Sequence, residues 1–112
     1  GRLSSSHYRR MIIYNVTCNM HVSTASEWLQ WMKSEHLPEV MATGCFKEYK
    51  ILKLLTNDSD DEGVNYAIQY TCESVETLER YRRDFGPGLM QKTATKYGES
   101  VLAYRSVLEI VE

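Results

Sequence analysis

Between Trp28 and Phe46 one histidine, His36, stands with two carboxylates, Glu35 and Glu39, around Pro38. An imidazole titrates near neutrality, so His36 is the candidate general base, or the group that orients a polar ligand. It reads equally as a core histidine or as the cap of a kinked helix, which is the commoner outcome. Glu35 and Glu39 lie one helical turn apart, and a buried carboxyl pair performs acid–base chemistry. Two exposed acids on a surface helix are the commoner arrangement, and Pro38 interrupts the face they would share.

Eight tyrosines occur in 112 residues. Tyr14, Tyr66 and Tyr70 fall on expected strands and, with Trp28 and Met32 from the helix, are candidate walls of an apolar ligand pocket with polar tips. The same residues also serve to fill a core. Arg105 alternates with Ala103 and Val107, where an inward guanidinium would clamp a carboxylate near Asn15 and Gln69. The alternative is an ion pair with Glu48 or another acid across a dimer or at the sheet edge.

The elements that must hold these residues follow from periodicity. Ile12 to Met20 is rich in β-branched and apolar residues and predicts strand one. Thr24 with Glu27 forms a capping box ahead of the apolar run that Trp28 opens. Leu29, Met32 and His36 share a helical face, a kink is expected at Leu37 before Pro38, and Gly44 ends the helix. Cys45 to Thr56 and Val64 to Cys72 predict strands two and three, joined by the polar stretch from Asn57 to Gly63. Ser74 caps a second helix, interrupted by Gly86-Pro87-Gly88 and closed by Gly98, before a last strand from Ser100 to Val111. The glycine–proline break reads as a lid hinge or as a simple bend.

This order, β-α-β-β-α-β, predicts an α+β, ferredoxin-like fold: a four-stranded antiparallel sheet with two helices on one face and strands one and three central. Alternation assigns Tyr14, Val16 and Cys18 to the helix side. The opposite face, with Ile13, Asn15, Thr17, Ala67 and Gln69, is too uncharged for a wholly solvated sheet. Pairing two such faces makes a homodimeric, closed α/β barrel, with these residues as its interface. Residues 1–10, serine-rich with Arg9-Arg10 and without the apolar core of a signal peptide, read as a disordered extension or a remnant of expression. Residues 11–112 form the single domain.

Composition removes other classes. A net charge of −2 provides no field for nucleic acid, and no apolar run approaches the roughly 18 residues of a membrane helix. Three cysteines without paired spacing suit free thiols in a reducing cytoplasm. No Cys-x-x-Cys or His-x-x-x-His pair marks a metal, and nothing beyond His36 marks haem, so neither metal nor cofactor is expected. Asp58, Asp60 and Glu62 mimic the start of a calcium loop, but its twelfth position falls on Gln69 where a glutamate is needed. Asp84-Phe85-Gly86 matches a kinase tripeptide by coincidence in a chain this short.

The stretches from Met11 to Thr17, Trp28 to Lys33, Glu35 to Phe46 and Gln69 to Thr71 resemble a family of small uncharacterised bacterial proteins, a domain of unknown function familiar from Bacteroidetes. The likeness covers nearly all of residues 11–112. It implies a dimeric α/β-barrel, ferredoxin-like domain and no agreed reaction. The wider superfamily includes antibiotic-biosynthesis monooxygenases, haem-degrading enzymes and muconolactone-isomerase-like proteins. Three functions follow as expectations: binding or sensing of a small apolar-to-amphipathic molecule, a cofactor-independent monooxygenase or isomerase with His36 as base, or a purely structural interaction domain.

Overall fold

Side chains of a strand alternate between faces, and in Ile12–His21 (β1) that period separates buried Ile12, Tyr14, Cys18 and Met20 from half-buried Ile13, Asn15, Thr17 and Asn19. The computed structural model describes residues 10–55 and 63–112; residues 1–9 and the tip of the expected hairpin, 56–62, lie outside them. Gly63–Cys72 (β3) pairs antiparallel with β1, opposing Tyr14 to Tyr70 and Asn15 to Gln69. Glu48–Lys53 (β2) flanks β3, and Val101–Glu109 (β4) flanks β1 with Val16 opposite Arg105. The sheet order β2-β3-β1-β4 is the expected ferredoxin-like topology.

The helices cover one face. Val22–Trp31 (α1) runs into a π-helical turn, Met32–His36, and continues as Leu37–Ala42 (α2). The expected kink is therefore a widened turn, in which the Leu37 N–H reaches five residues back to the Met32 carbonyl. Pro38 supplies the cause: it lacks an N–H, and its ring would strike the carbonyl four residues earlier in an α-helix. Gly44, at φ 77°, closes α2 with its N–H on the Met41 carbonyl.

Val75–Asp84 (α3) starts where expected, with the Ser74 hydroxyl accepting from the Thr77 N–H at 3.1 Å. At Phe85 the chain bends, and Gly86–Tyr97 (α4) resumes with Pro87 in the first turn, where no N–H is missed. Gly86-Pro87-Gly88 is thus part of a helix start rather than a loop. The core between the layers centres on Trp28, Leu37, Val40, Ile68 and Leu78, all nearly or fully inaccessible.

Several boundaries differ from expectation, among them the ends of β2 at Lys53 and β4 at Glu109. The capping box is not formed: α1 begins at Val22, and the imidazole of His21 accepts the Ser23 N–H at 3.1 Å. A helix cap needs only an acceptor at the right height, and the Nδ1 of His21 arrives before the hydroxyl of Thr24. Strand two begins at Glu48 because Cys45 and Phe46 turn inward as core residues, Phe46 packing 4.7 Å from Tyr81 between ring centres. Residues 98–100 form a short 3-10 turn, so β4 starts at Val101.

Candidate functional site

A cavity of about 200 Å³ lies between the helices and the sheet. Its floor is the inner face of three strands: Tyr14, Val16 and Cys18 from β1, Ile68 and Tyr70 from β3, and Val101, Ala103 and Arg105 from β4. Trp28, Met32 and His36 form one wall, and Tyr81, Arg82, Leu89 and Thr93 the other. An engineered apolar cavity of about 150 Å³ binds benzene, so the space suits one ring with a short substituent.

The π turn sets the histidine. Residues five apart line up along such a turn, and Trp31 and His36 stack with ring centres 5.0 Å apart and planes 27° from parallel. His36 makes no hydrogen bond to another described residue. Burial holds its imidazole below the usual histidine range; Glu39 opposes that shift, and the charges of Arg105 and Lys92 reinforce it. His36 is therefore neutral at pH 7, with basic nitrogen available beside the cavity.

Tyr70 and Tyr81 are held in the protonated form. Burial is the main cause, pushing Tyr81 up to about 12 and Tyr70 further still, with neighbouring ionisable groups adding to both and Arg105 opposing. Cys18 is raised to about 11 by burial, again against Arg105. The hydroxyls of Tyr14, Tyr70 and Tyr81 bond to no other described residue. Among the described residues no buried side-chain polar atom is both enclosed and unpaired, so these hydroxyls reach accessible space.

The sequence candidates divide cleanly. Tyr14, Tyr70, Trp28, Met32 and His36 meet at the cavity, whereas Tyr66 packs behind it on Trp28, ring centres 5.4 Å apart. Glu35 is exposed, and Glu39 is taken by Lys92 at 2.6 Å, so they form no acid pair in the site. Arg105 faces the helices, on the opposite side of the sheet from Asn15 and Gln69, and Glu48 lies across the sheet on the far edge strand. Register therefore keeps Asn15, Gln69 and Glu48 of the same chain away from the Arg105 guanidinium. Arg82, Tyr81, Leu89 and Thr93 were not anticipated; only the packing of α3 and α4 over the sheet brings them there.

The other sheet face carries no charge on its three strands β1, β3 and β4. The Asn15 amide donates to Thr17 at 3.0 Å and the Gln69 amide donates to Asn15 at 3.3 Å, while Asn19 donates to Asn65 at 3.2 Å. Around this neutral network stand exposed Leu102, Tyr104 and Leu108 on β4 and Leu52 on β2. Among the described residues no group of His, Cys, Asp and Glu could hold a metal ion, and no helix is long and apolar enough to cross a membrane.

Several solved structures share this fold. An EthD-like protein from Ralstonia eutropha superposes with TM-score 0.69 at 18% identity, covering 94% of this chain and 96% of its own. SnoaB, a cofactor-independent oxygenase from Streptomyces nogalater, matches at TM-score 0.63 and 11% identity over 92% of this chain and 95% of its own. A dimeric ferredoxin-like protein from an uncultured marine organism matches at TM-score 0.58 and 10% identity, over 91% and 96%. At such identities the likeness establishes the fold alone. No curated protein matches the sequence. Residues 11–111 match the family described as a domain of unknown function, DUF4286, and the chain belongs to that family.

Proposed function

We propose that this chain is a homodimeric α/β-barrel domain that binds a small apolar-to-amphipathic molecule between its helices and sheet. The observation that carries this reading is the cavity itself: about 200 Å³ of space walled by aromatic and aliphatic side chains, with tyrosyl, imidazole and guanidinium groups at its surface. A monomer that needed only a core would gain dispersion contacts by filling it. The sheet face, uncharged along β1, β3 and β4, supports pairing through Ile13, Asn15, Thr17, Ala67 and Gln69, as does the dimeric state named for one fold relative. Three buried free thiols, Cys18, Cys45 and Cys72, favour a reducing, cytoplasmic setting.

The test is a thermal-shift screen with one-ring and two-ring compounds, followed by amide chemical-shift mapping. A ligand present at 100 times its Kd adds about 2.7 kcal/mol of stability, which raises Tm by several degrees. Saturating libraries that never move Tm, or shifts that map away from the cavity, overturn the reading.

A second reading rests on His36. A half-buried, neutral imidazole without a hydrogen bond to another described residue is suited to proton abstraction from an enolisable substrate, and one fold relative is a cofactor-independent oxygenase. His36→Ala would then abolish turnover of an identified substrate while the fold persists. Loss of the fold assigns His36 to structure.

A further inference from the structure

The polar groups around the cavity share one chemical character. Arg105 enters from the sheet and Arg82 from α3, the latter with its guanidinium 5.7 Å from the Tyr14 ring centre. Neither arginine is given an acid: among the described residues the ion pairs join Lys47 to Glu73, Arg83 to Asp84, Lys92 to Glu39 and Lys96 to Glu27. Among the described residues no aspartate or glutamate lines the cavity, and Glu39, the acid that acts on His36, is already matched by Lys92. Three tyrosyl hydroxyls without protein partners add further donors. Arg105 stands exposed on the edge strand, yet its charge acts on Cys18, His36, Tyr70 and Tyr81 from four different elements around the cavity.

We propose that the ligand of this cavity is an amphipathic monoanion, a single-ring or short-chain carboxylate whose apolar body lies against Trp28, Met32 and Leu89 and whose oxyanion is held by Arg105, with Arg82 in support. This deepens the small-molecule reading above and rests on it. A planar guanidinium meets a carboxylate through two parallel hydrogen bonds, and a setting partly withdrawn from water strengthens them. The apolar walls select the body and the arginine selects the charge. An ammonium ligand of the same shape is repelled by both guanidinium groups and finds no carboxylate to receive it.

The experiment titrates the full chain with three probes of one shape, 3-phenylpropanoate, 3-phenylpropanol and 3-phenylpropylamine, followed by amide chemical shifts. Wild type is expected to bind the carboxylate at least tenfold more tightly than the alcohol and the amine weakest. Arg105→Gln is expected to bring carboxylate affinity down to that of the alcohol, and Arg105→Lys to restore part of the difference. Arg105 is exposed on the edge strand β4, and the amide spectrum of each variant reports that it is folded. Equal binding of acid and alcohol, or a preference that survives Arg105→Gln, overturns the anion assignment and leaves the pocket intact. If none of the three probes perturbs cavity residues at millimolar concentration, the pocket reading fails and the assignment falls with it.

Discussion

Substituting Tyr104 by aspartate tests the barrel where the sheet face is most exposed. Tyr104 sits mid-strand in β4, opposite Thr17, with its ring on the face away from the helices. It is 64% exposed, so of the roughly 200 Å² an aromatic side chain carries about 130 Å² stays in water in one protomer. At about 25 cal/mol per Å², complete covering of that area contributes ~3 kcal/mol per protomer. Two-fold symmetry makes every loss occur twice, so even half-complete covering costs the dimer ~3 kcal/mol. That is about a hundredfold or more in dimer Kd, before the cost of burying a carboxylate. Sedimentation velocity over a dilution series measures it: the expected outcome is a dimer for wild type and a monomer for Tyr104→Asp at micromolar concentration. The exposed edge position keeps the fold, which the amide spectrum checks. A wild-type monomer, or a variant with an unchanged dimer constant, refutes the reasoning.

Other outcomes follow from single positions. His36 has its native pKa lowered from 6.5 by burial, so between that lowered value and pH 6.5 the unfolded chain binds more protons than the native one. Stability therefore falls as pH drops below about 6.5, and His36→Gln flattens that part of the decline; identical urea midpoints for both proteins at pH 7.5 and 5.5 would contradict it. Leu37, fully inaccessible just after the π turn, anchors α2, and Leu37→Ala should cost about 2–5 kcal/mol, a fall in Tm of at least ~10 °C by calorimetry. A loss under about 1 kcal/mol would mean that the helix after the widened turn is held by something else. Gly86 has no positive φ, and an added methyl would meet its nearest atom, the Tyr81 carbonyl, at an ordinary 3.5 Å. Its helical conformation lies directly before Pro87, whose ring crowds a preceding β-carbon, so Gly86→Ala should lower Tm, and an unchanged or raised Tm would show that the helix start accommodates the methyl.

The sheet was legible because its signal is local. The alternation of Tyr14, Val16 and Cys18 against Ile13, Asn15 and Thr17 needs no knowledge of the partner strand, and the order of elements with right-handed crossovers places β1 and β3 centrally. Errors entered where the deciding partner is distant or unusual. Cys45 and Phe46 resemble strand residues, but the Tyr14, Tyr70 and Tyr81 rings draw Phe46 into the core before pairing starts. Arg105 alternates correctly with Ala103 and Val107, yet its surroundings follow from the β1–β4 register, which composition does not encode. Periodicity likewise cannot separate a kink from a π turn. Both interrupt a 3.6-residue repeat at Pro38, and only the π turn stacks Trp31 on His36.

The cavity persists although the chain has ready means of closing it. Its lining includes Gly86, Ala103, Thr93 and Cys18, small side chains at the places where helix and sheet surfaces meet. Every missing methyl there forfeits dispersion contacts with atoms already in place. The arginines point the same way: Arg105 and Arg82 line the space without acids beside them, although the surface nearby pairs Lys92 with Glu39 and Lys96 with Glu27. The void leaves dispersion contacts unmade, and it coincides with two exposed arginines that pair with no acid among the described residues. A bound carboxylate removes both deficits together, its body restoring the contacts and its oxygens receiving the guanidinium.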